Sequence, residues 1–556
     1  MKRTLALLLA ALMLFALLAG CGQSNTDTPA EPTDTTETPA ETPVTSDAPN
    51  ATETETPDAE TPAATAGEIS LPLVDELTTL RVWRSWSSLN TQAGLNDQND
   101  ARGYQVAEEL TNVHVDWELS NDAATQFPLL LASGTYPDLF QGSSYATGAP
   151  QKLDNYADEE IILDLTDYIT ELAPYYMAAR TADEDIARRT TTDDHRLLAF
   201  FNIKDTVQPS WLGYVTRTDW LGDRAPKTYD EYHDLLVSYR DDNNCPMPTG
   251  LGSTGVDSFW MAGFDVGSSW IVLDGKVEHS VTQPGYKEYL TLMNQWYNEG
   301  LIDPDFYTRT MGISFEYDLI TTGQVGLFCT SYTWIRLTEA MSGDPNFKLT
   351  GIEPPVKQSG DVRKIMISSD YHRLEGGYAA IFATCSNPEL AVRYLDFFFT
   401  EQGSRLVDFG VEGESYTLDE NGEPQFMDCI TNPPEGMTSS VAWLAYTADG
   451  MPHLYVWERE LKTGLPENAV EATHIWDNNW VDSISFPSVS LTAQESEDYS
   501  SIMNDIETRI SETVVKFIIG SEPMENFDSF VDTLVGMGLN DARDIEQAAY
   551  DRFMAR

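Results

Sequence analysis

Hydrophobic and polar positions divide the chain into three stretches of different texture. Leu5 to Leu18 is an almost unbroken apolar run behind the basic pair Lys2 and Arg3. It is too short for a spanning helix and has the flanks of a signal peptide. Residues 22 to 68 contain no aromatic residue and no Lys or Arg, and they repeat phrases such as Thr54-Glu55-Thr56-Pro57. That composition cannot bury enough apolar surface to offset the entropy of ordering it. Prolines stiffen the stretch and like charges extend it, so residues 21–78 are expected to be a disordered tether ahead of a body spanning 79–556.

In the body the patterning becomes α/β. Leu80 to Trp83 predicts a strand, Gly103 to Leu110 a helix, Val113 to Trp117 a strand, Ala123 to Ala132 a helix, and the turn from Gly134 leads into a strand at Leu139-Phe140. Strands alternating with helices argue for a mostly parallel sheet. Thr228 to Tyr239 reads as a helix with a Thr cap and acids in its first turn. Tyr286 to Gly300 has an aromatic helical face and a glycine stop, and Pro388 to Phe399 begins with proline and carries an apolar stripe. Val325 to Cys329 is a strand, and Ile271 to Gly275 a short strand and turn. The tail predicts three helices, Glu497 to Ile519, Met524 to Met537 and Asp541 to Met554, broken at Gly520 and Gly538. A body of this length exceeds one hydrophobic core, and two lobes are the expectation.

Charge narrows the partners. The chain has 89 acidic against 33 basic residues, and the formal net charge is -56. Phosphate backbones are bound by Lys and Arg, so nucleic acid is excluded as a partner. A polyanionic ligand would need a local basic cleft. Cys245, Cys329, Cys385 and Cys429 match no zinc or redox spacing, and both free thiols and a bridge stay open for them. There is no Gly-x-Ser-x-Gly elbow, no His-Glu-x-x-His and no phosphate loop, and the seven histidines are scattered. Carboxylate pairs are inevitable in so acidic a chain. The expectation is a protein that is not an enzyme, with no catalytic residue, no cofactor and no metal.

Leu18-Ala19-Gly20-Cys21 resembles a bacterial lipobox. The resemblance implies a signal peptide over 1–20, cleavage before Cys21, lipid on its thiol and anchorage on the extracellular face of a membrane of Gram-positive type. Further phrases follow in order: Leu131 to Leu139 (Leu-Ala-Ser-Gly-Thr-Tyr-Pro-Asp-Leu), Leu163 to Asp167, Arg217 to Leu221 with Pro226 to Glu231, Trp296 to Phe306, Thr322 to Gly326, Ala391 to Phe397, Phe409 to Tyr416, Phe517 to Gly520 and Met537 to Leu539. Together they resemble the extracellular solute-binding proteins of ABC importers, family 1 type, and among these the LplA-like carbohydrate-binding lipoproteins. That resemblance implies a periplasmic-binding-protein-like fold: two α/β lobes, discontinuous in sequence, joined by a hinge, with a helical C-terminal segment. It implies closure over a ligand and transfer to permease subunits, by a monomer. Many relatives carry a calcium loop after the helix matching Thr228–Tyr239. Here Asp241 to Pro248 lacks the glycine, the alternating oxygen ligands and the terminal Glu, and reads as an acidic turn.

Sugars offer apolar ring faces edged with hydroxyls, which call for aromatic platforms and polar partners. Thirteen Trp and twenty-five Tyr supply platforms but also supply a core. Aromatics in polar or glycine-rich loops are the better candidates. These are Trp86 beyond the first strand, Trp260 in Ser258 to Gly263, Trp334 after the strand at Val325, and Trp443 with Tyr446 in a Ser/Thr-rich loop. In the family resembled, the position matching Trp334 commonly faces the ligand. Arg84 and Arg336 are candidates for hydroxyl or carboxylate contacts. Ser133-Gly134-Thr135 reads either as a helix stop or as polar groups at the cleft rim. The expected ligand is a carbohydrate, an oligosaccharide in view of the many loop aromatics. A peptide or another solute is the alternative, and a surface glycan-active enzyme or adhesin a weaker one.

Overall fold

The alternating patterns beyond Leu80 resolve into two separate sheets. The computed structural model describes residues 69–143, 153–207, 209–309, 316–365, 373–434, 437–463, 465–481 and 483–556. The leader read at 1–20, Cys21 and the stretch to residue 68 lie outside the described residues. The strands are β1 (Thr78–Ser85), β2 (Val113–Ser120), β3 (Leu139–Ser143), β4 (Phe200–Lys204), β5 (Leu212–Arg217), β6 (Met247–Thr249), β7 (Trp270–Leu273), β8 (Lys276–His279), β9 (Val325–Ser331), β10 (Leu349–Gly351), β11 (Leu374–Ile381), β12 (Tyr416–Leu418), β13 (Pro424–Phe426) and β14 (Leu454–Tyr455).

Six strands form the sheet of the first lobe, in the order β14-β4-β11-β3-β1-β2. All are mutually parallel except β11, which runs against both its neighbours. The second lobe holds a four-stranded sheet, β10-β5-β9-β6, in which β6 and β9 are parallel and β5 runs against β9 and β10. Each lobe has its own core. Leu80, Val82, Val115, Leu139, Ile381 and Leu395 belong to the first; Val215, Tyr232, Trp260, Trp296, Leu327 and Phe517 belong to the second.

The helices follow their local signals. Thr228 caps the helix Tyr229–Asp241 in a reciprocal box with Glu231, whose carboxylate accepts from the Lys227 and Thr228 amides. The helix Ala493–Ile518 begins with the same device, Thr492 and Glu495. Gly520 and Gly538 take positive φ, +73° and +108°, where the tail breaks into the helices Phe527–Gly536 and Leu539–Ala555. Asp274 and Gly275, both at positive φ, close the β7–β8 hairpin.

The chain enters the first lobe through residues 69–74, which pack on its core. The Leu73 amide donates to Thr111 O at 3.0 Å, and Asn112 Nδ2 donates to Val74 O at 3.1 Å. This entry lies at the edge where β1 and β2 start. No helix among the described residues is long and apolar enough to cross a membrane. Among the described residues, Cys245, Cys329, Cys385 and Cys429 are not joined in disulfides.

Candidate ligand cleft

The chain passes between the two sheets three times: from β4 to β5, from β10 to β11, and from β14 to the helix Glu467–Trp476, which packs on β10. These crossings fix which edges of the sheets look at each other. In the first lobe it is the edge where β4 and β14 end, and parallel pairing brings the ends of β1, β2 and β3 to the same edge. In the second it is the edge where β5 starts and where β6, β9 and β10 end. Ligand sites of open α/β sheets lie beyond such strand ends.

The crossings are bound to one another. The Asp205 amide donates to Tyr455 O at 2.9 Å, the Trp457 amide to Asp205 Oδ1 at 3.3 Å, and Arg373 Nε to Lys204 O at 2.9 Å. Trp457, on the third crossing, meets Tyr332 of the second lobe edge-on, with ring centroids 5.9 Å apart. Trp476 is fully buried, its indole N–H donating to Tyr214 O at 2.8 Å. Gly213 admits it: a Cβ there would stand 2.5 Å from the indole ring. The joint between the lobes is therefore a set of hydrogen-bonded segments rather than a loose linker.

At the second-lobe edge β9 ends at Ser331 and the helix Tyr332–Ser342 begins. Trp334, on its first turn, is 39% exposed and stacks on Tyr317 with centroids 6.0 Å apart and planes 13° from parallel. Leu212 pairs with Ser331, and the Tyr332 amide donates to Trp211 O at 3.1 Å, which sets Trp211 beside the same helix start. Trp211 is 37% exposed. These two are the exposed tryptophans among the thirteen, and both stand at the edge that faces the other lobe. Arg336 is exposed on the same helix as Trp334, about one turn beyond its start at Tyr332. On the first-lobe edge Trp86 directly follows β1. It is half-buried, with its amide donating to Ser120 O at 2.7 Å and its indole N–H to Thr91 Oγ1 at 3.2 Å.

The other candidates are held elsewhere. Trp260 is a correction: its exposure is 0%, and its ring packs edge-on against Trp296 at 5.0 Å and Tyr232 at 5.3 Å. The glycine-rich context suggested a loop, but Asp257 caps a short helix, accepting from the Phe259 and Trp260 amides, and turns the indole inward. A side chain without exposed surface offers no face to a ligand. Trp443 is 9% exposed; its N–H donates to Asp408 O at 2.7 Å and the Arg459 guanidinium covers its ring at 4.4 Å. Tyr446 is half-buried against the first-lobe core. Arg84 is 8% exposed and ion-pairs with Asp449 at 3.1 Å, while its Nη1 donates to Asp449 O at 2.6 Å. A Cβ at Gly450 would lie 2.9 Å from that nitrogen, so glycine makes the approach possible. Trp443 and Arg84 thus spend their polar groups inside the first lobe. Ser133 to Thr135 is a helix stop: Gly134 has φ +66°, Ser133 Oγ donates to Leu130 O at 2.7 Å, and the segment precedes β3, at the edge away from the other lobe.

Trp211 was not among the sequence candidates. Its context, Pro209-Ser210-Trp211 between two strands, reads as a linker; its signal was an aromatic residue in a segment that joins different sheets. No group of three or more His, Cys, Asp or Glu among the described residues is placed to hold a metal ion.

The sequence profile described as "Bacterial extracellular solute-binding protein" matches residues 97–404. The chain belongs to that family. This solute-binding protein is 22% identical over 522 residues to the fructooligosaccharide ABC transporter substrate-binding protein FusA of Streptococcus pneumoniae, covering 88% of this chain and 92% of that protein. It is 24% identical over 238 residues to lipoprotein LipO of Bacillus subtilis, 39% of this chain and 43% of LipO. Among solved structures, alginate-binding protein AlgQ2 matches with a TM-score of 0.63 at 20% identity, over 86% of this chain and 99% of that one. An extracellular solute-binding protein from Bifidobacterium longum subsp. infantis matches with 0.69 at 13%, over 86% and 98%. At these identities the structural likeness concerns the fold: two α/β lobes with helical segments. The solute-binding protein binds rather than transforms its ligand.

Proposed function

We propose that this protein is the lipid-anchored receptor of an ABC importer, capturing an extracellular oligosaccharide between its lobes and passing it to permease subunits. The observation that carries the reading is the position of Trp334 and Trp211 on one lobe edge opposite Trp86 on the other. Two exposed indoles on one edge and a half-buried one on the other are platforms for the apolar faces of sugar rings. The similarity to FusA across most of both chains supports a carbohydrate, and an alginate-binding neighbour of the same fold is consistent with one. Membership of the LplA-like subset belongs to the same proposal, as does lipid at Cys21.

A thermal-shift screen of the purified protein tests it, with neutral, acidic and amino-sugar oligomers beside a peptide set. A ligand that binds the native state raises the melting temperature with concentration. A glycan is expected to do so and to be recovered intact. If peptides shifted the protein and no glycan did, the ligand would be a peptide and the carbohydrate reading would fail.

A further inference from the structure

Besides the three crossings, the lobes touch where no chain connects them. On the first-lobe side are the helix Glu184–Arg189, whose Ile186 lies in that lobe's core, and the following turn with Asp193. On the other side is the terminal helix Leu539–Ala555, whose Leu539 and Ala542 lie in the second-lobe core and whose Gln547 accepts from the Val277 amide of β8 at 2.7 Å. Asp193 bridges two arginines of this helix end: Arg552 Nε at 2.7 Å and Arg556 Nη2 at 2.7 Å. Phe553 of the same helix, 2% exposed, has the guanidinium carbons of Arg188 and Arg189 from the first lobe and of Arg556 at 5.8, 5.7 and 5.2 Å from its ring centroid.

We propose that Asp193, Arg552, Arg556 and Phe553 form an ionic clasp that biases the angle between the lobes. None of these groups lies on a crossing, so a change of lobe angle must strain, slide or break the contact unless it happens to lie on the axis. The contact is built to be remade. A small cavity of about 50 Å³, bordered by Asp154, Arg189, Ser490 and Arg556, lies beside it. Arg552 also donates to Glu495 of its own lobe at 2.6 Å, so its charge stays paired when Asp193 leaves. The side chains of Asp193 and Arg552 keep 24% and 30% of their surface in solvent. The attraction is therefore open to screening by salt.

The test reads lobe separation without ligand, so its outcome is independent of what the cleft binds. Leu129 of the first lobe and Leu337 of the second, both exposed, are replaced by a ketone-bearing residue and labelled with a fluorophore pair, which spares the native cysteines. Transfer efficiency is followed from about 20 mM to about 500 mM NaCl, over which the screening length falls from roughly 20 to roughly 4 Å. Wild type is expected to shift with salt. Asp193→Asn at low salt should reproduce the high-salt efficiency and lose at least half of the salt response. Glu495→Gln, which leaves the Asp193 contacts in place, should behave as wild type. Arg556→Gln repeats the test from the other lobe if Asp193→Asn folds poorly. A full salt response and an unchanged low-salt efficiency in Asp193→Asn or, where it is needed, Arg556→Gln would overturn the proposal.

Discussion

Trp334 and Trp260 are the same residue type with opposite consequences. The Trp334 ring is partly in solvent and already paired on one side with Tyr317, so its truncation removes a platform and little core. Trp334→Ala is expected to weaken binding of the glycan found by screening at least about tenfold, ~1.4 kcal/mol, with a melting temperature near wild type, read by calorimetric titration and thermal unfolding. Trp260→Ala should do the reverse. Loss of a fully buried indole costs about 3–5 kcal/mol of stability, while the cleft of the molecules that remain folded keeps its affinity. The sequence could not separate the two, because both sit near polar residues. Both stand in the first turn of a helix; what divides them is where that helix sits, since the one capped by Asp257 turns Trp260 into the core, while the one that begins at the lobe edge after Ser331 leaves Trp334 partly in solvent.

At the scale of elements, helix starts and stops were legible wherever a cap or glycine encoded them. Thr228 with Glu231, Gly520 and Gly538 stand where their chemistry places them. Thr228→Ala is expected to cost ~1 kcal/mol, seen as a lowered urea midpoint with unchanged ligand affinity. The crossings were not legible, because they are made by pairing between distant segments. Asp408 shows why. It is fully buried, accepts from the Val456 amide at 2.9 Å, lies 3.1 Å from His453 Nε2, and ion-pairs with Arg459 at 2.9 Å. No spacing in the sequence announces that a carboxylate at position 408 anchors the start of a crossing near 456. Asp408→Ala, which strands these partners, should cost about 3–5 kcal/mol and unfold at lower denaturant.

For the whole molecule, two buried carboxyls set a dependence on pH. Burial raises the pKa of Asp396 to about 7 and, with Glu495 nearby, that of Glu546 to about 7. Asp396 accepts from the Tyr176 amide at 2.7 Å, and Glu546 is 6% exposed on the terminal helix. In the unfolded chain both titrate near ~4. The native state therefore holds two protons that the unfolded state has released, and the stability this confers is present below about pH 4 and is lost as pH rises towards about 7. Melting temperature should fall over that interval, and Asp396→Asn with Glu546→Gln should flatten the fall. A slope unchanged in the double variant would assign it to repulsion among the 89 acids instead. Two lobes were legible from chain length and alternating elements; which edges face each other was not, since that depends on the three returns between sheets.

The entry of the chain through residues 69–74 has a mechanical consequence. Those residues grip the first lobe alone, at the edge where β1 and β2 begin, away from the cleft. A load applied upstream of Ile69 is delivered to one jaw and never across the bite. Dragging the molecule from that end moves the first lobe as a handle, while the second swings on the crossings with no line attached, so tension from that side does no work on opening or shutting.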